Sequence, residues 1–398
     1  IPFVSTVNRL TSFRMSEVVV KYAGERLAEE RPVQAAAVLK GASLMDLAAS
    51  VLGFLLLILL APLAANYLAK DAQTASLFVI YGLIILTNAN TETATGMLQL
   101  RNRFGSIAAV NLAQSLITAA LILAAFLADG GMMEVLVAYL VGKSAAGIGL
   151  TFLAFREARL VLGSGWLRTP LKEAGEWRGI GRFAFSTNLS GTVNLVVRDS
   201  ETLWISLFRN PTEAGYFRIA LSVINLVMLP IQPLIGTTYR EITALAARLE
   251  WRRIREMLRK ISALAAIWTL ATGIILLVLG GRLIGLVYGA DFLPAYPALM
   301  ILLIGYGFAN IFFWSRSLLL ALGMPAYPLN ASAAAGAVKT LLAFLLVPTY
   351  GYLMEAALLS AYFLVSVGVI VRKGWGEIHD RARGIHEPPL QGRHGAGS

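Results

Sequence analysis

Arg198, Asp199 and Glu201 stand in the outer half of an apolar run, Gly181 to Phe208, that is long enough to cross a bilayer. An ionisable side chain at the centre of a spanning helix costs roughly 2.5–3.5 kcal/mol on insertion scales, so it turns toward protein or water and marks a functional site. Thr187, Gly191, Asn194, Arg198 and Glu201 follow one another at intervals of three or four residues and therefore share one helical face. The opposite face is Leu, Val and Phe. The next run repeats the pattern with Arg218, Ser222, Asn225 and Gln232, and its Pro230 and Pro233 are expected to bend it. Two such stripes point to one lined cavity. The alternative is that these groups only pair with each other between close-packed helices.

Other charges sort by depth, because long basic side chains near a helix end reach water. Lys21, Arg218 and Arg316 lie that near an end, whereas Lys143 and Lys339 lie near the middle of their spans. Arg14, Glu17 and Lys21 are spaced for an ion-pair ladder as well as for a site. Glu92 shares its face with Asn88 and Thr95, as suits either a proton or sodium coupling site or a buried, hydrogen-bonded acid. Cysteine is absent, and the three histidines, His379, His386 and His394, all fall in the polar C-terminal stretch. No metal site, cofactor or catalytic residue is expected from such a set.

Of the 398 residues, 57% are hydrophobic and only 14% charged, the composition of a polytopic membrane protein. The apolar runs lack the two-residue alternation of barrel strands, so the fold class is all-α, with about eleven spans. They start with Ile1 to about Gly24 and continue as Val33 to Leu68, Thr74 to Leu100, Phe104 to Ala128 and Met132 to Phe155. Six more follow Gly181, the last ending near Val371. The expected organisation is an N-terminal bundle over 1–160, a basic cytoplasmic linker over 161–180, a six-helix bundle over 181–373, and a tail over 374–398 without regular structure. The net charge of +11 gathers in alternate short loops, which marks orientation rather than nucleic-acid binding. The opposite loops hold only Lys70, Arg209 and Arg282, which sets the C-terminus in the cytoplasm. Five helices before six, and a chain that opens inside a span, lead to the expectation of one further helix upstream. Six plus six is the parallel-repeat plan of many secondary transporters, with substrate between the halves near mid-membrane.

Several short motifs, in order, carry a family resemblance. They are Phe13-Arg14-Met15-Ser16-Glu17 with Lys21-Tyr22, then Leu100-Arg101-Asn102-Arg103-Phe104, then Asp199 followed by Gly215-Tyr216-Phe217-Arg218-Ile219-Ala220. Tyr288-Gly289-Ala290-Asp291-Phe292 with Ala295, and Leu320-Ala321-Leu322-Gly323-Met324-Pro325, complete the set. Together they resemble the oligosaccharide and polysaccharide flippases of the multidrug/oligosaccharidyl-lipid/polysaccharide exporter superfamily. Gly351 to Ala356 departs from that pattern, with Met354 and Glu355 where small residues are expected.

The resemblance implies export of a polyprenyl-diphosphate-linked sugar unit across the bacterial inner membrane by alternating access. A diphosphate needs cations, here Arg14, Lys143, Arg198, Arg218, Arg316 and Lys339, and sugars need hydroxyl and amide partners. Asn88, Thr91, Asn194, Asn225 and Gln232 suit the second need, and Glu17, Glu92, Asp199 and Glu201 are the coupling candidates. Sodium, protons and membrane potential all remain open as drivers. The implied partners are the lipid-linked oligosaccharide, the lipid bilayer and polysaccharide assembly proteins, with no nucleic acid. Two rival readings stand beside this one. A cation-coupled multidrug extruder would have a cavity rich in acids and aromatics. A membrane sugar polymerase or ligase would need an outward catalytic loop with a base, and the outward loops here are only a few residues long.

Overall fold

The structure is a computed structural model that describes residues 2–175, 177–184 and 201–383. Helix is the only regular secondary structure among the described residues. The chain divides into two compact units, Ile1–Leu203 and Trp204–Ser398. Among the described residues, eight helical stretches are long and apolar enough to cross a membrane. Their outer faces carry large exposed side chains such as Leu59, Phe126 and Leu286, as a lipid-facing surface requires.

In the first unit, α1 (Pro2–Thr11) and α2 (residues 15–28) replace the single helix expected from Ile1 to about Gly24. Two features end α1. The Thr11 hydroxyl donates back to the Val7 carbonyl at 3.1 Å, and Arg14 takes a left-handed conformation with φ 48°. A π turn, Val19–Ala23, then lies within α2. There follow α3 (Pro32–Ala69), α4 (Ala75–Thr87), α5 (Thr91–Leu100), α6 (Phe104–Leu127) and α7 (Met132–Leu162). Their core joins Met15, Val18 and Val19 to Met97 and Leu98. At Gly96 an added Cβ would lie 2.8 Å from the Ser16 backbone, so only glycine lets α5 lie this close to α2.

The turn between α5 and α6 explains one sequence motif. Asn102 is left-handed at φ 56°, and Glu157 on α7, 3% exposed, accepts from Arg103 Nε at 2.9 Å with Arg101 Nε 3.6 Å away. The stretch after α7 packs on this same unit. Trp166, Ala174, Ile180 and Ala184 are buried in its core, and Lys40 Nζ donates to the Thr169 carbonyl at 3.0 Å.

The second unit holds α8 (Glu201–Phe208, which begins in the first unit), α9 (Pro211–Met228), α10 (Gln232–Ala247), α11 (Trp251–Tyr288), α12 (Ala295–Ile311) and α13 (Ser315–Ala321). The bend expected at Pro230 is a 3-10 turn, Leu229–Ile231. The last helical stretch, Ala326–Ala382, breaks at Gly351, φ 71°, into α14 before it and α15 after it. Glu213 holds the break from α9. Its Oε2 accepts the Tyr352 N–H at 3.1 Å, and its Oε1 accepts from Arg209 Nε at 3.0 Å.

Helix α15 corrects the expectation that regular structure stops at 374. It runs to Ala382 because Ile378, fully buried, packs with Trp314 and Leu318, while Glu377 pairs with Lys373 at 2.8 Å. Residues 384–398 lie outside the described residues.

Candidate functional site: a polar cavity in the N-terminal unit

The break between α4 and α5 organises the site. Helix α4 ends at Thr87, and the Asn88 side chain folds back to donate to the Ile84 carbonyl at 3.0 Å. Thr91 Oγ1 donates to Asn88 Oδ1 at 3.3 Å as α5 begins. A helix that restarts inside an apolar layer exposes unpaired N–H groups and the positive end of its dipole. Asp46, from α3, answers both. Its Oδ2 accepts the Thr93 N–H at 2.8 Å and the Thr93 hydroxyl at 2.7 Å, a helix cap supplied by another helix. Asp46 is 4% exposed. Beside it Glu92 Oε2 accepts the Ser16 hydroxyl at 2.7 Å.

Helix α7 closes against this break through Ser144, whose hydroxyl lies 2.8 Å from that of Thr87. Gly147, one turn further, permits the approach, since a Cβ there would come 2.5 Å from Asn88 Oδ1 and 2.7 Å from the Thr87 carbonyl. Lys143 is four residues before Gly147 and so faces the same way.

These elements line an open cavity of about 400 Å3. Asp46 and Glu92 line one part of it, and Arg9 and Lys143 contribute positive charge. Asn8 from α1, Asn111 and Gln114 from α6, and Asn88 from the α4–α5 break add amides. Tyr81 also lines the cavity, while its hydroxyl is buried among apolar neighbours, out of reach of the cavity and with no hydrogen-bond partner among the described residues. Such a lining hydrates or hydrogen-bonds a polar guest.

Of the residues singled out from sequence, the cavity brings together Asn88, Thr91, Glu92 and Lys143. Arg14 and Glu17 are not among its lining residues; they form a half-exposed pair with each other at 3.2 Å. Lys21 lies over the rings of Tyr22 and Phe183, 5.0 and 4.6 Å from their centroids. In the second unit Lys339 Nζ is 2.6 Å from Glu355 Oε1, with side chains 3% and 0% exposed. Glu355, the departure from the expected small residues, thus neutralises a buried lysine. Arg218, Asn225, Gln232 and Arg316 are exposed, and neither arginine has an ion pair among the described residues. Glu201 is buried at the start of α8. Thr187, Gly191, Asn194, Arg198 and Asp199 lie outside the described residues.

Sequence reasoning passed over Asp46, Arg9 and Tyr81. Asp46 did carry a signal: a lone acid deep in an apolar span, with Ser43 and Ser50 on its face. Tyr81 carried none, because a tyrosine in an apolar helix reads as packing.

Residues 33–297 match the model of a family described as polysaccharide biosynthesis protein. The inner membrane protein YghQ of Escherichia coli (strain K12) is 25% identical over 297 residues, 74% of this chain and 82% of YghQ. Among solved structures, a multidrug resistance MATE family transporter of the MOP superfamily, in an inward-facing conformation, superposes with a TM-score of 0.75 at 14% identity, covering 96% of this chain and 90% of that one. The lipid II flippase MurJ, in an inward closed conformation, gives 0.68 at 15% identity, covering 95% and 82%. A MOP superfamily transporter from Pyrococcus furiosus gives 0.64 at 12% identity, covering 96% and 86%. At these identities the likeness is one of fold, and it bears out the all-α, two-bundle membrane architecture expected from sequence.

Proposed function

Because the chain belongs to the polysaccharide biosynthesis protein family, we propose that it is a flippase that moves a polyprenyl-diphosphate-linked oligosaccharide across the membrane by alternating access. The observation that carries this reading is the cavity itself: charged groups, amides and hydroxyls gathered inside a bundle of membrane-crossing helices. Asn88 and Thr91 suit sugar hydroxyls, and Lys143, on the cavity wall without an ion pair among the described residues, suits an anionic group. The exposed Arg218 and Arg316 are free to meet phosphate in the same way. Glu92 and Asp46 supply carboxylates for a coupling cation. Lys339, already neutralised by Glu355, serves packing first.

The fold shared with MurJ and the family assignment support transport over sugar polymerisation. YghQ is named an inner membrane protein, and together with the apolar helices this supports the bacterial inner membrane as the location of this chain. The basic-loop bias supports a cytoplasmic C-terminus.

The test is reconstitution into liposomes with a polyprenyl-diphosphate-linked oligosaccharide labelled on the sugar. The label should move between leaflets only with protein present, and Lys143→Ala should slow it. Protein-independent movement, or none with protein, would remove the reading. Two carboxylates in the cavity keep a second reading alive, export of a lipophilic cation. Dye extrusion from the same liposomes without sugar movement would select it.

A further inference from the structure

The second unit carries an open apolar groove of about 570 Å3, lined by Leu270, Ile274 and Leu277 of α11, Ile304 and Phe308 of α12, and Leu364 of α15. These leucines and isoleucines are exposed, as on a surface turned to lipid. Small and polar residues hold α11 and α12 close beside it. A Cβ at Gly307 would lie 3.1 Å from Thr269 Cγ2, and Asn310 Nδ2 donates to Thr269 Oγ1 at 2.9 Å. Followed toward the start of α11, the groove face turns basic. Leu277, Gly273, Leu270 and Ala266 are succeeded at helical spacing by Arg259, Arg255 and Arg252. On α15, Leu364 and Gly368 lead in the same way to Arg372 and His379. The two faces converge there, since Arg255 Nη2 lies 3.3 Å from His379 Nδ1. The carboxylates at this end are engaged elsewhere. Glu256 accepts from Arg252 Nε at 3.3 Å, Glu377 pairs with Lys373 and Arg381, and Asp380 acts on Lys373. Arg259 and Arg372 are exposed and have no ion pair among the described residues.

We propose that this groove seats one acyl chain of an anionic phospholipid of the surrounding bilayer, with the lipid phosphate against Arg259 and Arg372. Charge selects the occupant: an apolar slot that ends in unpaired guanidinium groups suits a chain that ends in an anion. Length agrees. From Arg259 to Leu277 the helix rises about 27 Å at 1.5 Å per residue. One leaflet measures ~20–22 Å from its outer polar edge to mid-membrane, half of the whole bilayer, and an arginine side chain spans the difference. A polyprenyl chain is longer than a leaflet is deep and would overrun the groove. The bound lipid bridges α11 and α15 and becomes a fixed part of the second unit, whatever the transporter carries.

Native mass spectrometry of the delipidated protein in detergent, titrated with phosphatidylglycerol or with phosphatidylcholine of the same acyl chains, reads the first lipid bound. Phosphatidylglycerol should bind about tenfold more tightly. Arg259→Gln and Arg372→Gln should each weaken it by roughly fivefold and leave phosphatidylcholine almost unchanged. Arg168→Gln, at an exposed basic residue of the first unit, should alter neither lipid. Ile304→Trp, which fills the groove, should weaken both. All four side chains are exposed, so the lipid-free melting temperature should hold, which separates loss of the site from loss of the fold. Equal binding of the two lipids, an equal loss in the Arg168 variant, or unchanged binding in Ile304→Trp would overturn the proposal. Displacement of phosphatidylglycerol by an equal concentration of polyprenyl phosphate would overturn it too, because the groove would then belong to the tail of the proposed cargo.

Discussion

Lys339 illustrates how a residue can be conspicuous for two reasons. It is a cation in the middle of a span, and it lies 2.6 Å from Glu355 with both side chains buried. Removing one partner of such a pair strands the other in low dielectric at about 3–5 kcal/mol, while replacing both by apolar groups is often neutral. Lys339→Met should therefore lower the thermal stability of the purified protein sharply, and Lys339→Met with Glu355→Leu should recover most of it. Thermal unfolding in detergent reads both. A stable double variant that still passes the liposome assay of the proposed flippase would confine Lys339 to packing, and a stable one that fails it would return Lys339 to the proposed substrate path. Asp46 poses the same question with a different answer, because its partners are the dipole and amide of a helix N-terminus. Asp46→Leu leaves Thr93 N–H uncapped and should cost about 1–2 kcal/mol, read as a fall in melting temperature.

At the scale of elements, glycines set how closely helices approach. Gly305 on α12 faces α15, where an added Cβ would overlap the Ser360 Cα and lie 2.7 Å from its carbonyl oxygen. Neither backbone can yield, so Gly305→Ala should cost about 1–3 kcal/mol through forced separation of the pair. Gly215 on α9 has nothing within 4 Å of such a Cβ. Gly215→Ala should be neutral or stabilising by up to about 1 kcal/mol. Equal melting temperatures for the two variants would contradict this assignment of the α12–α15 contact. The break at Gly351 works differently. Its positive φ and the nearby Glu213 carboxylate together turn one helical stretch into two.

For the whole molecule the open quantity is orientation, argued from where the basic residues fall. The absence of cysteine makes it measurable with single replacements. Arg168→Cys and Arg255→Cys should be shielded from an impermeant thiol reagent in intact cells, and Asp71→Cys should react. The opposite pattern would reverse the orientation and with it the direction of export.

The all-α membrane architecture was legible from composition and apolar runs alone, because a backbone in lipid must satisfy its own hydrogen bonds, and helices do so within one segment. Asn88, Thr91, Glu92 and Lys143 were legible as intramembrane polar groups for the same reason: each is out of place in an apolar run. Which of them meet was decided only by tertiary structure. Asp46 reaches Thr93 across 47 residues, and Lys339 reaches Glu355 across the break at Gly351. Helical periodicity states the face a residue occupies, but not the depth and rotation at which that helix docks. Those are set by close contacts such as Gly147 on Asn88 and Gly305 on Ser360. Arg14 and Glu17 show the other side of the limit. Their spacing allowed a site or a simple pair, and the turn that places Arg14 at φ 48° leaves them paired with each other, half exposed.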